Sequence, residues 1–273
     1  MMSENFEFSI QLFPVQELQF LLTTGPDLIS SQLRQGEYWE QLILTLAQHF
    51  LQDIHHPIFV DIGANLGAIS IPIAKFIQKD QGKVYSFEAQ RGVFYQLCGN
   101  IFANNLTQSC YAHHLAIGHK NDFIDVPILD FKTESNVGAL SLDSMIRAEQ
   151  AEHHFAHHDN KAYEKVKLKK LDTLNLPFAH LVKIDVEGME LEVIKGAKKW
   201  LIDSQYPPIF LEIWGDYMQK QQHKKEKLIK YLTVTLGYEL FFIGETCIAQ
   251  HPARKKYNFI VKHETNQIYL EKI

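Results

Sequence analysis

The run Ile58-Phe59-Val60-Asp61-Ile62, followed at once by Gly63-Ala64-Asn65-Leu66-Gly67, constrains this chain more than any other stretch. A short apolar run that ends in glycine reads as a buried strand rather than a helix segment. Ala68 to Ile77 then resumes at helical spacing, with Pro72 tolerable only in the first turn. Strand, glycine turn and helix in that order predict the opening of a βα unit. A helix N-terminus behind such a turn offers unpaired backbone N–H groups and lets a ligand approach the main chain closely.

The same unit recurs. Lys83 to Phe87 reads as a second strand with Gly92 to Asn104 as its helix, and Tyr111 to Ile117 as a third strand. Leu181 to Asp185 predicts a fourth strand followed by a helix over Leu191 to Ser204, and Pro208 to Trp214 a fifth, with a helix over Lys224 to Leu236. Alternating strands and helices imply an α/β fold of Rossmann type, with a mostly parallel sheet and helices on both faces. Glu239 to Ile243 and Tyr257 to Val261 complete seven strands. No helix separates those two, so they are expected to pair antiparallel as the final hairpin. Ahead of the core, Leu33, Trp39, Leu42, Ile43, Leu46, Ala47 and Phe50 predict two helices interrupted near Gly36, which would cap the sheet edge. The expected organisation is therefore an N-terminal helical cap over 1–56 and a main domain over 57–273. The stretch from about 120 to 175 breaks the alternation and reads as an insertion at strand ends, where substrate loops commonly lie.

Composition excludes several classes. At 273 residues with 46% hydrophobic and 22% charged, the chain matches an ordinary globular protein. No apolar run is long enough to span a membrane, and Glu4 and Glu7 stand where a secretory signal would be basic, so the cytoplasm is expected. A net charge of -5 gives no footprint for nucleic acid. Cys98, Cys110 and Cys247 are too scattered for a disulfide framework or a zinc site. The histidine pairs at 153/154 and 157/158 fall in a polar stretch and lack the partners of a catalytic zinc, so no metal is assigned to them. A homo-oligomer is compatible with the sequence.

Four places carry chemistry. The glycine turn reads Gly63-Ala64-Asn65-Leu66-Gly67 behind an acid, Asp61, where a dinucleotide loop would show GxGxxG. An acid at that strand end suits a cationic, amino-bearing ligand such as S-adenosylmethionine (SAM). Glu88, closing the second strand roughly 20 residues further on, is placed to bind ribose hydroxyls. In Lys183-Ile184-Asp185-Val186-Glu187-Gly188-Met189-Glu190, charges interrupt a buried strand end; Asp185 or Glu187 could accept a proton, and Lys183 could pair internally with a carboxylate. Glu212, a lone acid in Ile209-Phe210-Leu211-Glu212-Ile213-Trp214, would point to the same pocket. With Asp185 and Glu187 it could hold a hard divalent cation, a minority alternative to metal-free chemistry.

At these residues the sequence resembles the FkbM family of SAM-dependent methyltransferases. The resemblance rests on Phe59 to Gly67, on Phe87-Glu88-Ala89-Gln90-Arg91 with Leu97-Cys98-Gly99-Asn100, and on Leu171-Asp172-Thr173-Leu174 leading to Lys183 to Glu190 and Lys195-Gly196-Ala197. It implies a class I methyltransferase fold, SAM as donor with S-adenosylhomocysteine (SAH) as product, and O-methylation of a hydroxyl on a sugar or small metabolite. Carried over by position, Asp61, Gly63, Ala64, Asn65 and Gly67 form the SAM loop, Glu88 binds ribose, and Ala116-Ile117-Gly118 lies near the adenine. Asn136-Val137-Gly138 resembles a family loop that reaches the site. Ala89 stands where a proline often follows the ribose acid, and Ile213-Trp214 replaces polar residues, which makes the acceptor pocket more aromatic. Two other readings are carried: a nucleotide-cofactor oxidoreductase, disfavoured by Asn65 and the missing GxGxxG, and a SAM-binding partner protein without transfer chemistry.

Overall fold

The computed structural model describes residues 8–132, 137–152, 162–215, 217–262 and 267–273. Its centre is a seven-stranded sheet built from β3 (Ile58–Ile62), β4 (Lys83–Glu88), β5 (Cys110–His114), β9 (Leu181–Ile184), β10 (Ile209–Glu212), β11 (Glu239–Ile243) and β12 (Thr246–Gln250). Across the sheet the order is β11-β12-β10-β9-β3-β4-β5. The strands from β10 to β5 run parallel, and β12 alone is antiparallel to its neighbours β10 and β11. Every residue of β3 and of β9 is buried, as expected of strands covered on both faces.

Two apolar layers provide that cover. On one face, Phe59, Val84, Leu181, Phe210 and Ile248 pack with α2 (Gln41–Leu51), α3 (Ser70–Ile77) and α4 (Arg91–Ala103). On the other, Val60, Val182, Ile184, Ile209 and Leu211 pack with α6 (Glu190–Gly196), α7 (Lys198–Asp203) and α8 (Gln222–Lys230). Pro72 sits in the first turn of α3, where a missing N–H breaks no helical bond. The single helix expected over Leu191 to Ser204 is two, broken at Ala197. Gly196 explains the close packing there: a Cβ on it would lie 1.9 Å from the carbonyl oxygen of Gly118.

The two N-terminal helices are present as α1 (Leu28–Arg34) and α2, but a hairpin of β1 (Ile10–Val15) and β2 (Leu18–Thr23) precedes them. The segment covers a face of the sheet rather than its edge alone: Phe50 of α2 meets Phe210 of β10 edge-on, with ring centroids 5.2 Å apart. Its docking extends to α4, where Asn100 Oδ1 accepts from Leu21 N (2.6 Å) and Gln96 Nε2 donates to Leu21 O (2.8 Å).

The last sheet strand differs from expectation. Glu239 to Ile243 pairs with Thr246–Gln250, not with Tyr257 to Val261. Gly244-Glu245 is a two-residue turn with Gly244 at φ +59°, which returns the chain at once into the sheet. Tyr257–Lys262 becomes β13 of a separate hairpin with β14 (Gln267–Lys272). The third strand is likewise split: β5 ends at His114, and β6 (Ala116–Ile117) leaves the main sheet to pair with β8 (Tyr163–Lys169), which also pairs with β7 (Asp122–Pro127). The insertion thus supplies two strands, β7 and β8, of a three-stranded sheet completed by β6, together with helix α5 (Ser144–Glu152). The histidine-rich run, except for its flanks, and Asn136 lie outside the described residues. Among the described residues no helix is long and apolar enough to cross a membrane.

Candidate active site

A cavity of about 300 Å³ opens at the carboxyl ends of β3, β4, β9 and β10, within the usual size of small-molecule sites. It straddles β3 and β9, where the strand order reverses direction, the place at which open α/β sheets bind ligands. Of the residues expected there, Gly63, Ala64, Asn65, Glu88, Ala116, Lys183, Asp185, Glu187 and Glu212 line it, whereas Asp61 and Gly67 stand behind its wall.

The glycine loop is tied down from within. Gly63 adopts φ +79°, and a Cβ there would lie 1.7 Å from the carbonyl oxygen of Asp185. Gly63 N and Ala64 N both donate to Phe87 O at 3.0 Å. Asn65, also left-handed at φ +52°, donates its N–H to Glu88 Oε2 (2.9 Å), while its own Oδ1 accepts from Leu66 N (2.6 Å). The other Glu88 oxygen accepts from Gln90 N at 2.7 Å. The N–H groups of residues 63–66 therefore have protein partners, so the loop is not a ready cradle for a pyrophosphate. Burial pushes the Glu88 carboxyl up to about 7, against the backbone N–H groups of Gln90, Asn65 and Ala89 that favour its charge.

Asp61 has no exposed surface. Its Oδ2 accepts from the Ser70 hydroxyl at 2.6 Å, and Lys183 Nζ lies 3.6 Å from Oδ1. Burial raises its carboxyl above the ordinary value despite Lys183 and Ser70. Lys183 Nζ also donates to Asp185 Oδ2 at 3.0 Å. Burial opposes the Lys183 charge, but Asp185, Asp61 and Glu40 together hold it well above the usual lysine value. Lys183 is thus a fixed cation that pins both carboxylates beneath the glycine loop.

At the other end, one oxygen each from Asp185, Glu187 and Glu212 falls within 4.8 Å of the others. Glu187 is held in a left-handed conformation (φ +54°) ahead of Gly188 (φ +89°), which turns its side chain back toward the β9 end. Gln150 Nε2, from α5, donates to Glu187 Oε2 at 3.2 Å, and Trp214 Nε1 donates to Glu212 Oε2 at 3.2 Å. Burial, then Glu212, Asp185 and Glu190, raises Glu187 well above an ordinary glutamic acid. Burial, then Asp185 and Glu190, does the same for Glu212. Carboxylates so placed can take a proton from an acceptor or receive a cationic group, and their oxygens also suit a hard divalent ion.

Several lining residues escaped the sequence reading. Trp39 and Glu40 come from the N-terminal segment, Gln90 follows the ribose acid, and Gln150 arrives from the insertion. The one available signal concerns Glu40, which occupies the N-cap of α2 without a side-chain capping bond, a place where Ser, Thr, Asp or Asn is usual. Gly138 of the expected family loop lines the cavity too.

Residues 61–240 match the model of the methyltransferase FkbM domain. No curated protein matches the chain. Among solved structures, a methyltransferase FkbM from Methylobacillus flagellatus KT is 16% identical with a TM-score of 0.47, covering 71% of this chain and 43% of that one. The chain thus spans less than half of that relative. A putative caffeoyl-CoA O-methyltransferase from Staphylococcus aureus is 10% identical with a TM-score of 0.46, covering 77% of this chain and 83% of its own. The matched segment covers more than half of the chain, from the Asp61 end of β3 through all the strand ends that build the cavity, and on that match the chain belongs to the FkbM methyltransferase family.

Proposed function

We propose that this protein transfers the methyl group of SAM to a hydroxyl of a sugar or other small metabolite, releasing SAH. The observation that carries this reading is the division of one cavity into a nucleoside end, built on Glu88 and the glycine loop, and an acidic end, built on Asp185, Glu187 and Glu212. Glu88 would hold the ribose of such a donor, Ala116 and Ile117 would lie beside its adenine, and the acids would meet its cationic, methyl-bearing end. When bound, SAM would supply a methyl carbon for displacement by the acceptor oxygen, with the carbon–sulfur bond breaking as the oxygen–carbon bond forms, and a carboxylate would take the hydroxyl proton. Glu187 is the assigned base, because its raised proton affinity makes it a better acceptor once ionised and Gln150 fixes one of its oxygens. Alignment of oxygen, carbon and sulfur supplies much of the acceleration. No metal is assigned a role.

Residues 57–273 are read as the catalytic domain and 1–56 as its cap. A cytoplasmic setting fits the three free cysteines.

Calorimetry with SAM tests the cofactor: the wild type binds, and Glu88→Ala loses about tenfold or more in affinity. A folded wild type that binds no SAM ends the reading. In a screen of hydroxylated sugars and metabolites, Glu187→Gln should lower kcat by about 10²- to 10⁴-fold with SAM affinity retained. Full turnover by that variant removes Glu187 as the base, and SAM binding with no transfer to any acceptor favours a non-catalytic role.

A further inference from the structure

A donor of this class carries a primary ammonium on its methionyl end, and a cavity that encloses an ammonium must offer it a carboxylate. The expected partner, Asp61, is sealed behind the glycine loop by Ser70 and Lys183. Asp185 already pairs with Lys183 at 3.0 Å. Glu187 and Glu212 receive bonds from Gln150 and Trp214 at the acceptor end. Glu40 is different. It lines the cavity, and among the described residues no hydrogen bond or ion pair engages its carboxylate. Its side chain leaves the first turn of its own helix uncapped, and its residue holds a left-handed φ of +46° to stand where it does. Lys183, whose Nζ reaches Gly63 O at 3.5 Å, feels the field of Glu40 along with those of Asp185 and Asp61, and Glu212 feels it as well, so Glu40 faces the part of the cavity between the glycine loop and the acids.

We propose that Glu40 receives the ammonium of the methionyl group, so that the N-terminal segment, outside the matched residues 61–240, completes the cofactor site. The assignment rests on SAM being the cofactor. Two consequences follow from the geometry. The segment that supplies Glu40 also supplies Trp39, so docking of the N-terminal part and recognition of the amino-acid end are one event. The Lys183 to Asp61 pair is then a scaffold for the loop, and the ligand's charge is met by a carboxylate free of internal partners.

The test compares SAM, SAH and 5′-methylthioadenosine, which keeps the nucleoside and sulfur but lacks the amino-acid end, by calorimetry against wild type, Glu40→Gln and Glu40→Asp. Glu40→Gln should weaken SAM and SAH by about tenfold or more while methylthioadenosine stays within about twofold, and Glu40→Asp should fall between. Thermal midpoints close to wild type verify that the variants are folded, as expected where no hydrogen bond or ion pair among the described residues uses the Glu40 carboxylate. Unchanged SAM affinity in Glu40→Gln, or equal weakening of all three ligands, overturns the assignment while leaving the cofactor reading intact. A wild type that binds methylthioadenosine no worse than SAM also overturns it, and one that binds neither SAM nor SAH brings down both.

Discussion

Gly63 and Glu88 act as one device. The missing side chain at residue 63 lets the Asp185 carbonyl come against the loop, and the Glu88 carboxylate then clasps Asn65 N and Gln90 N, so that the loops leaving β3 and β4 are fastened to each other. Gly63→Ala would place a Cβ 1.7 Å from the Asp185 oxygen and impose a left-handed φ on alanine. The expected outcome is a loss of about 2 kcal/mol or more in unfolding free energy, together with loss of SAM affinity. Urea unfolding and calorimetry check this, and a variant with wild-type values in both would contradict the packing described. Gly63, Asn65 and Glu88 were legible in the sequence because their roles are local: a turn needs particular backbone angles, and an acid at a strand end is visible beside its strand. Asp61 was legible as an acid at the right strand end, but not as one turned inward, since that depends on Ser70 and Lys183 lying beneath it. Glu40 and Gln150 were not legible as site residues, because they reach the cavity from segments far from the glycine loop in sequence, and Gln90, although two residues beyond Glu88, carries no motif of its own that marks it as lining.

The elements are joined by side chains that act as strands. Gln96 and Asn100 of α4 and Asn104, which caps its C-terminus, recur every fourth residue, and each pairs with the main chain of β2: Gln96 and Asn100 with Leu21, Asn104 with Gln19. Asn100, fully buried, also donates to Leu66 O at 2.8 Å, so the N-terminal hairpin and the glycine loop share one amide. Asn100→Ala would leave Leu21 N and Leu66 O without these partners, with an expected cost of about 2 kcal/mol or more in urea unfolding. Amide exchange at Leu21 should accelerate as well, and unchanged stability and exchange would show that the docking does not depend on Asn100. The misread strand belongs to this scale. Thr246–Gln250 is less apolar than the run beginning at Tyr257, so composition alone favours the later run as the last sheet strand. Local turn geometry decides otherwise: the two-residue turn Gly244-Glu245 returns the chain into the sheet before that run is reached.

Across the whole molecule, buried carboxyls set the response to pH. Glu88 and Glu190 are each pushed from an ordinary 4.5 up to about 7 by burial, and Glu187 and Glu212 are raised as well. A carboxyl raised in the folded state binds its proton more readily there than when unfolded, so its contribution to stability diminishes as pH climbs from about 4.5 through about 7. His113 and His180, held below the usual 6.5 by burial, act in the opposite sense, reducing stability as pH falls through that region. With six raised carboxyls, Glu40 and Asp61 being the other two, against two lowered imidazoles, the ligand-free protein should be more stable near pH 5.5 than near pH 8, by roughly 2 kcal/mol or more. Urea midpoints at the two values check the sign, and a higher midpoint at pH 8 would contradict it. SAM, whose sulfonium favours ionised carboxylates, should narrow the difference.

The sequence by itself determined the α/β alternation, the position of the glycine loop, the strand-end acids and the family, because each of these is written in periods and motifs a few residues long. The tertiary structure alone decided which acids face the cavity and which are neutralised behind it, that Leu28, Ile29, Trp39 and Glu40 of the N-terminal segment line that cavity, and that the final strand is Thr246–Gln250. Those outcomes depend on which segments meet across long stretches of chain, and a carboxylate's chemistry is set by the partners and burial it finds there.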